Sequence, residues 1–293
     1  ARVLARAKSL GMRVIGPNCM GVINTDPAVR LNASFAAARP VAGNVAFVSQ
    51  SGALGEAILS EASDLGLGIS YFVSAGNRAD VSTNDLLEHW EDDPRVGPIL
   101  LYLESVGEAH RFPDVARRVS RKKPIIVVKA GRTLAGATAA RSHTGSLAGF
   151  DVAVDTLLAQ VGVLRVNSME DLFAAAAAFA SPPLPKGPRV GIVTNSGGPG
   201  ILATDACVSV GLEIPELSRR TREALASALA KEASVRNPVD MIASAGPDAF
   251  RAAVREVLTD DGVDALLVLF ITPVYIDSVA VADAIVESAS GAT

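Results

Sequence analysis

The strongest constraint in this chain is an alternation. Short β-branched apolar runs are separated by stretches with helical spacing. The run at 44–49 (NVAFVS) precedes a helical pattern over 52–65, and that at 69–74 (ISYFVS) precedes one over 83–90. The run at 98–104 (PILLYLE) leads to a helix over 109–120. The run at 124–129 (PIIVVK) leads through a loop of small residues to a helix over 150–160. A short strand at 163–166 then precedes an alanine-rich helix over 169–180. Runs this apolar leave no face for water, so helices must cover both sides of a parallel sheet. Five such units predict a doubly wound, flavodoxin-like α/β domain.

The pattern then stops and restarts. Residues 181–188 (SPPLPKGP) hold four prolines in eight residues, which cannot continue a helix and favour extended chain. Beyond this linker a strand is expected at 189–194 (RVGIVT), a helix over 198–210 and a short strand at 212–214. Helices over 219–230 and 248–259 and a buried strand at 265–271 (ALLVLFI) complete the pattern. The expected organisation is two tandem parallel-sheet domains, 41–180 and 189–293, the second shortened. The chain opens inside one helical pattern at Ala1 and stops after another at Thr293, as a fragment of a longer protein would.

Both domains open alike, with NVAFVSQSGALGEAIL at 44–59 and RVGIVTNSGGPGILAT at 189–204. Each is a buried strand, a polar Ser-Gly turn and a helix start. Such a turn leaves free backbone N–H groups at a helix N-terminus, where an anion binds. Tight packing of a βα turn also calls for glycine, so one turn alone has a structural explanation. Two in tandem weaken it.

Composition removes several classes. Charges sum to −4, unlike a dedicated polyanion binder, and aromatics are 4%, too few for base-stacking platforms. No apolar run approaches the roughly 18 residues that span a bilayer. Cys19 and Cys207 stand far apart without metal-ligand spacing, which predicts no metal site and a reduced, cytoplasmic setting. Walker A, Gly-x-Ser-x-Gly and a GxGxxG fingerprint are all absent.

Among three histidines, His89 and His110 read as surface residues of helix ends. His143 differs, because it lies in TLAGATAARSHTGSLAGF, where small neighbours let a ligand approach. Glu104 ends the buried strand PILLYLE, on the rim where open α/β sheets bind ligands. If the two meet, a carboxylate can hold the proton of one ring nitrogen and leave the other nucleophilic.

Six motifs then occur in one order: RVIGPNCMGVIN at 13–24, VSQSGALG at 48–55, VKAGRT at 128–133, SHTGSLAG at 142–149, TNSGGPG at 194–200 and NPVD at 237–240. The ordered set resembles the NDP-forming (ADP-forming) acyl-CoA synthetases, relatives of succinyl-CoA synthetase, across essentially the whole chain. The resemblance implies reversible conversion of acyl-CoA, phosphate and ADP into the acid, CoA and ATP. It implies that His143 carries phosphate and that Glu104 is its partner. It further implies that two helix N-termini, at Ser51-Gly52 and at Asn195-Ser196-Gly197-Gly198, face the phosphohistidine. Residues 1–40 become the tail of a Rossmann-like CoA-binding domain, with Asn18 and Cys19 toward the thiol end of CoA. The nucleotide and Mg²⁺ are expected through an ATP-grasp domain on another subunit or segment, in an assembly of like or unlike subunits. Nucleic acid and membrane are not expected partners. Two alternatives stay open: a ligand-sensing, synthetase-like region fused to a protein-lysine acetyltransferase, and a flavin- or nucleotide-binding module of the same fold.

Overall fold

The apolar runs become strands buried on both faces. In β3 (Ala42–Ser49), Val45 and Phe47 enter one core while Ala46 and Val48 enter the other. Successive side chains of a strand point to opposite faces, so one run feeds two cores. The first core seats α2 (Ala53–Asp64) and α6 (Met169–Ala180) through Ile58, Leu59, Leu172 and Phe173. The second seats α3 (Thr83–Trp90), α4 (Phe112–Ser120) and α5 (Asp151–Gln160) through Leu87, Trp90, Val115, Val119 and Leu158.

The computed structural model describes residues 2–108, 110–133, 151–180 and 184–290. Two units divide at the proline-rich linker, between residues 182 and 183. In the first unit, β3 is flanked by β4 (Ile69–Ser74) and β5 (Ile99–Leu103), followed outward by β6 (Ile125–Lys129) and β7 (Leu164–Val166). These five strands are parallel, and their order β4-β3-β5-β6-β7 is the flavodoxin-like order. The fold is therefore the expected one. The helix expected from 109 begins at Phe112, with Pro113 in its first turn.

The sequence pattern does not announce one part of this sheet. After α1 (Arg2–Ser9), β1 (Gly21–Asn24) and β2 (Leu31–Ser34) form an antiparallel hairpin, and β1 pairs antiparallel with β4. The sheet thus has seven strands, in the order β2-β1-β4-β3-β5-β6-β7. Arg95 ties the hairpin down, pairing with Asp26 in its turn, with Asp93 and with the Tyr71 hydroxyl. Burial first, and then Asp93, push the Tyr71 hydroxyl up to about 12.

In the second unit, β8 (Val190–Thr194) lies between β10 (Ala265–Leu269) and the two-residue β9 (Val239–Asp240), all parallel. Helices α7 (Gly197–Ser209), α8 (Arg219–Ala228), α9 (Pro247–Leu258) and α10 (Ser278–Ser290) complete it. Phe250 and Phe270 meet edge to face at 5.4 Å in its core. The strand expected at 212–214 is reduced to one bridge between Glu213 and Arg189, because Pro215 has no N–H to continue a ladder. The NPVD motif has a structural task. The Asn237 amide accepts from the Ile192 N–H at 2.9 Å and donates to the Val190 and Pro215 carbonyls at 2.9 and 3.0 Å, so β9 is held beside β8.

Arg189 and Asp264 join the entrances of β8 and β10 by a two-pronged ion pair at 2.8 and 2.7 Å. The guanidinium and the Arg189 N–H hold the Asp264 carboxyl at about 2, below its ordinary value of 3.8. A depressed carboxyl contributes stability above its unfolded value and loses it as pH falls through the folded one. The expected outcome is acid destabilisation of this unit between about pH 4 and pH 2. In Asp264→Asn that pH dependence shrinks and stability at neutral pH falls, as read by hydrogen exchange at the β8 and β10 amides across the range.

Candidate active site

A doubly wound sheet opens a crevice where neighbouring strands send their following helices to opposite faces. Here that place is the carboxyl edge between β3 and β5. Gln50, buried at the end of β3, fills the split. Its amide donates to the Ser105 carbonyl at 2.9 Å and accepts from the Glu104 and Ser105 N–H groups at 2.9 and 3.1 Å. The backbone that carries Glu104 is thereby locked to the backbone that starts the Ser-Gly turn.

The turn is shaped by a hydroxyl. Ser49 Oγ donates to the Ser51 carbonyl at 2.7 Å and accepts from the Ser51 N–H at 3.2 Å. The chain then enters α2 with Gly52 as an N-cap that has no side-chain cap. No described residue accepts from the N–H groups of Gly52 and Ala53. Gly55, the second glycine of the motif, serves packing: a Cβ there would lie 2.4 Å from Met20 Sδ and 2.9 Å from Phe72 Cζ.

Residues 13–20 reach this edge through the loop after β4. Asp80 accepts from the Val14 N–H at 2.8 Å and from Arg13 at 3.0 Å, and the Asn77 N–H donates to the Pro17 carbonyl at 2.9 Å. Gly76, at φ +51°, lets the two segments touch, since a Cβ would stand 2.3 Å from the Asn18 carbonyl oxygen. Asn18 and Cys19 are thus brought beside the turn. Together with Ser51, Gly52, Arg78 and Glu104 they line a cavity of about 830 Å³.

Two cations near Glu104 were not singled out from the sequence. Arg78 donates to the Ser105 carbonyl at 3.2 Å and to the Ser105 hydroxyl at 2.9 Å. Burial pulls its guanidinium below the ordinary value, and the negative charge of Glu104 opposes that. Lys129, buried at the end of β6, donates to the Ala130 carbonyl. Burial likewise lowers its ammonium, against the charges of Asp151 and Glu104. The signal was present: AGNRAD and VKAGRT are glycine-bearing turns directly after buried strands. Among the described residues no side chain hydrogen-bonds the Glu104 carboxylate. His143 lies outside the described residues, while His89 and His110 are exposed.

The second unit repeats this architecture. Thr194 Oγ1 contacts the Ser196 carbonyl and N–H, both at 3.0 Å, as Ser49 does for Ser51. Asn195, buried, donates to the Ile271 carbonyl at 2.8 Å and accepts from the Ile271 N–H at 2.9 Å, as Gln50 does for the end of β5. Its side chain is spent on this clamp, so its turn offers backbone rather than amide donors. No described residue accepts from the N–H groups of Gly197 and Gly198, and nothing lies within 4 Å of a Cβ built on Gly198. Ile271 is held through its N–H and carbonyl as Ser105 is, and no acid precedes it; the carboxylate beside this turn comes from β9 instead, with Asp240 Oδ2 3.0 Å from the Cβ position of Gly197. Among the described residues no cluster could hold a metal, and no helix is long and apolar enough to cross a membrane.

Known proteins share this arrangement. Residues 42–179 match the family model of the succinyl-CoA ligase like flavodoxin domain, and residues 190–292 match that of the Ligase-CoA domain. The chain is 45% identical over 270 residues to an ADP-forming acetate–CoA ligase II subunit alpha from Pyrococcus furiosus, covering 92% of this chain and 58% of the relative. It is 38% identical to an ADP-forming 4-hydroxybutyrate–CoA ligase from Nitrosopumilus maritimus, covering 91% of this chain and 38% of that one. A dinucleotide forming acetyl-coenzyme A synthetase 1 from Ca. Korarchaeum cryptofilum, solved in complex with phosphate and ADP, superposes with a TM-score of 0.94 at 39% identity. That match covers 99% of this chain and 63% of the other. The chain thus spans less than two thirds of the length of each of these relatives.

Gln50 is the hinge pin of the site. In Gln50→Leu the Glu104 and Ser105 N–H groups lose their acceptor while remaining part-buried. The expected cost is about 1–3 kcal/mol in urea unfolding, with faster hydrogen exchange at those two amides.

Proposed function

This chain belongs to the succinyl-CoA synthetase-like family of NDP-forming acyl-CoA synthetases, and from that premise we propose that it is the phosphohistidine-bearing core of such an acid–thiol ligase. The observation that carries the reading is the cavity where Glu104 shares one wall system with the uncapped start of α2. A phosphoryl group with nearly two negative charges is stabilised by unpaired N–H groups at a helix N-terminus. Gly52 and Ala53 supply them, and Ser51 adds a hydroxyl. Gly197 and Gly198, following Asn195 and Ser196, are a second donor set of the same kind.

The proposed chemistry has three steps. Phosphate attacks the acyl carbonyl of acyl-CoA, releasing CoA and forming an acyl phosphate. A ring nitrogen of His143 attacks the phosphorus, and the carboxylate leaves. The phosphoryl group then passes from His143 to ADP, giving ATP. Glu104 accepts a hydrogen bond from the N–H of the ring, which keeps the other nitrogen unprotonated and aimed at phosphorus. Asn18 and Cys19 stand at the thiol end of CoA, with the residues up to them as the tail of its binding domain, while the hairpin at 21–34 belongs to the flavodoxin-like sheet. Nucleotide and Mg²⁺ come through an ATP-grasp domain or partner subunit. The relatives named as alpha subunits support a partnered enzyme, and the ligase names of the relatives favour this reading over a sensor fused to an acetyltransferase. The two cysteines are free thiols, consistent with a cytoplasmic enzyme.

The test uses the complete enzyme with labelled ATP and Mg²⁺. Acid-labile, base-stable label is expected on the wild type and none on His143→Ala; label retained there overturns the assignment. Glu104→Gln loses the charge and the preferred tautomer. Its phosphorylation rate is expected to fall by about 10²–10⁴-fold, the range for positioned acid–base partners. A rate equal to wild type refutes the pairing.

A further inference from the structure

Taking a guanidinium out of water without a counter-charge is costly, so partly buried arginines sit in ion pairs. The chain follows this rule at Arg111, Arg165, Arg189 and Arg251, each of which meets a carboxylate at 2.5 to 2.7 Å. Arg78 is the exception. It is partly buried, yet among the described residues it has no ion pair, and its side chain bonds only Ser105. The charge of Glu104 reaches it, but the two side chains share no hydrogen bond.

The guanidinium is held ready and keeps donors to spare. Arg78 sits at φ +51°, uncommon for a residue with a long side chain and kept only where the surroundings fix it. Ser105, itself clamped by Gln50, does the fixing, through one bond to Nη1 and one to Nη2. A guanidinium has five N–H donors, so three remain. The Nε–H has no partner among the described residues, and unlike that of Arg165 it is not sealed from solvent. Arg78 borders the same cavity as Ser51, Gly52 and Ala53, where a hydroxyl and free N–H groups already wait. A cationic fork added to neutral donors suits an oxyanion with several acceptor oxygens, and phosphate is the one that the ligase reaction consumes. Glu104 stays unbonded beside it and is left for the ring of His143.

We propose that Arg78 binds the inorganic phosphate that attacks the acyl group, together with the start of α2. The inference rests on the ligase reading above and adds a catalytic residue to the step before His143 acts. In that step a phosphate oxygen forms the bond to the acyl carbon, the C–S bond breaks, and the electron pair leaves on sulfur as the CoA thiolate. Arg78 keeps its proton throughout; its task is to bind the nucleophile and aim it.

The experiment follows ATP formation from acetyl-CoA, ADP and phosphate in the complete enzyme. Arg78→Met should raise the KM for phosphate by about tenfold or more, as loss of a charge-assisted contact does, and leave that for acetyl-CoA within about twofold. Arg78→Lys keeps the charge but not the fork, so its phosphate KM should lie between wild type and Arg78→Met. An arginine that only braced Ser105 would lower kcat alone or raise both KM values together. Either result overturns the proposal and leaves the ligase reading intact, as does an unchanged phosphate KM. Should Arg78→Met fail to fold, Arg78→Lys carries the same comparison. A wild type that forms no ATP from acetyl-CoA or 4-hydroxybutyryl-CoA overturns the ligase reading instead. Calorimetry with inorganic phosphate then decides the role of Arg78 separately. Affinity weakened about tenfold or more in Arg78→Met, or about threefold or more in Arg78→Lys, supports it, and unchanged affinity or no binding to the wild type overturns it.

Discussion

The site depends on one amide. Gln50 stands where β3 and β5 part, and its three hydrogen bonds hold the two strand ends in register beyond the last ladder pair, Ser49 with Tyr102. Without it the backbone at Glu104 and Ser105 would have to find water inside a part-buried crevice. With it, the acid of one strand and the helix start of the next are fixed on one rim. Arg78 then closes the wall by bonding Ser105, the residue that Gln50 already holds. Preorganisation of this kind holds donors and charges in place before a ligand arrives, so they need not reorganise around it.

The same device in the second unit separates scaffold from chemistry. Asn195 clamps Ile271 as Gln50 clamps Glu104 and Ser105, and Thr194 shapes its turn as Ser49 shapes the first. The repeated parts are those that build a tight strand–turn–helix junction with free N–H groups. The part that differs is the strand that supplies the acid. Glu104 follows β5 beside the first turn, whereas Asp240, at the end of β9, holds its Oδ2 3.0 Å from the Cβ position of Gly197 in the second.

Much of this was legible in local pattern. Apolar runs alternating with helical spacing determined the strands, the helices, the two units and the flavodoxin-like class, because period and polarity are local properties. The Ser-Gly turns and Glu104 were visible for the same reason: each directly follows a buried strand, and in a parallel sheet all such positions lie on one edge. His143 was singled out by its small-residue loop and its motif, and it lies outside the described residues.

What only the tertiary structure decided is everything that depends on segments far apart in sequence. The hairpin at 21–34 joins the sheet because β4 offers a free edge, and nothing in four polar-flanked residues states that. Asn18 and Cys19 reach the cavity because Gly76 lets two backbones touch, a contact spanning some sixty positions. Arg78 comes beside Glu104 through its two bonds to Ser105 in the loop after β5 rather than through any periodicity. Sequence determines which residues are buried and which turns are tight, since hydrophobic burial and backbone sterics act locally. Which buried polar groups find partners, as Gln50 does at Ser105, is settled only when distant segments close around them, since a hydrogen bond belongs to a place in the fold and not to a residue.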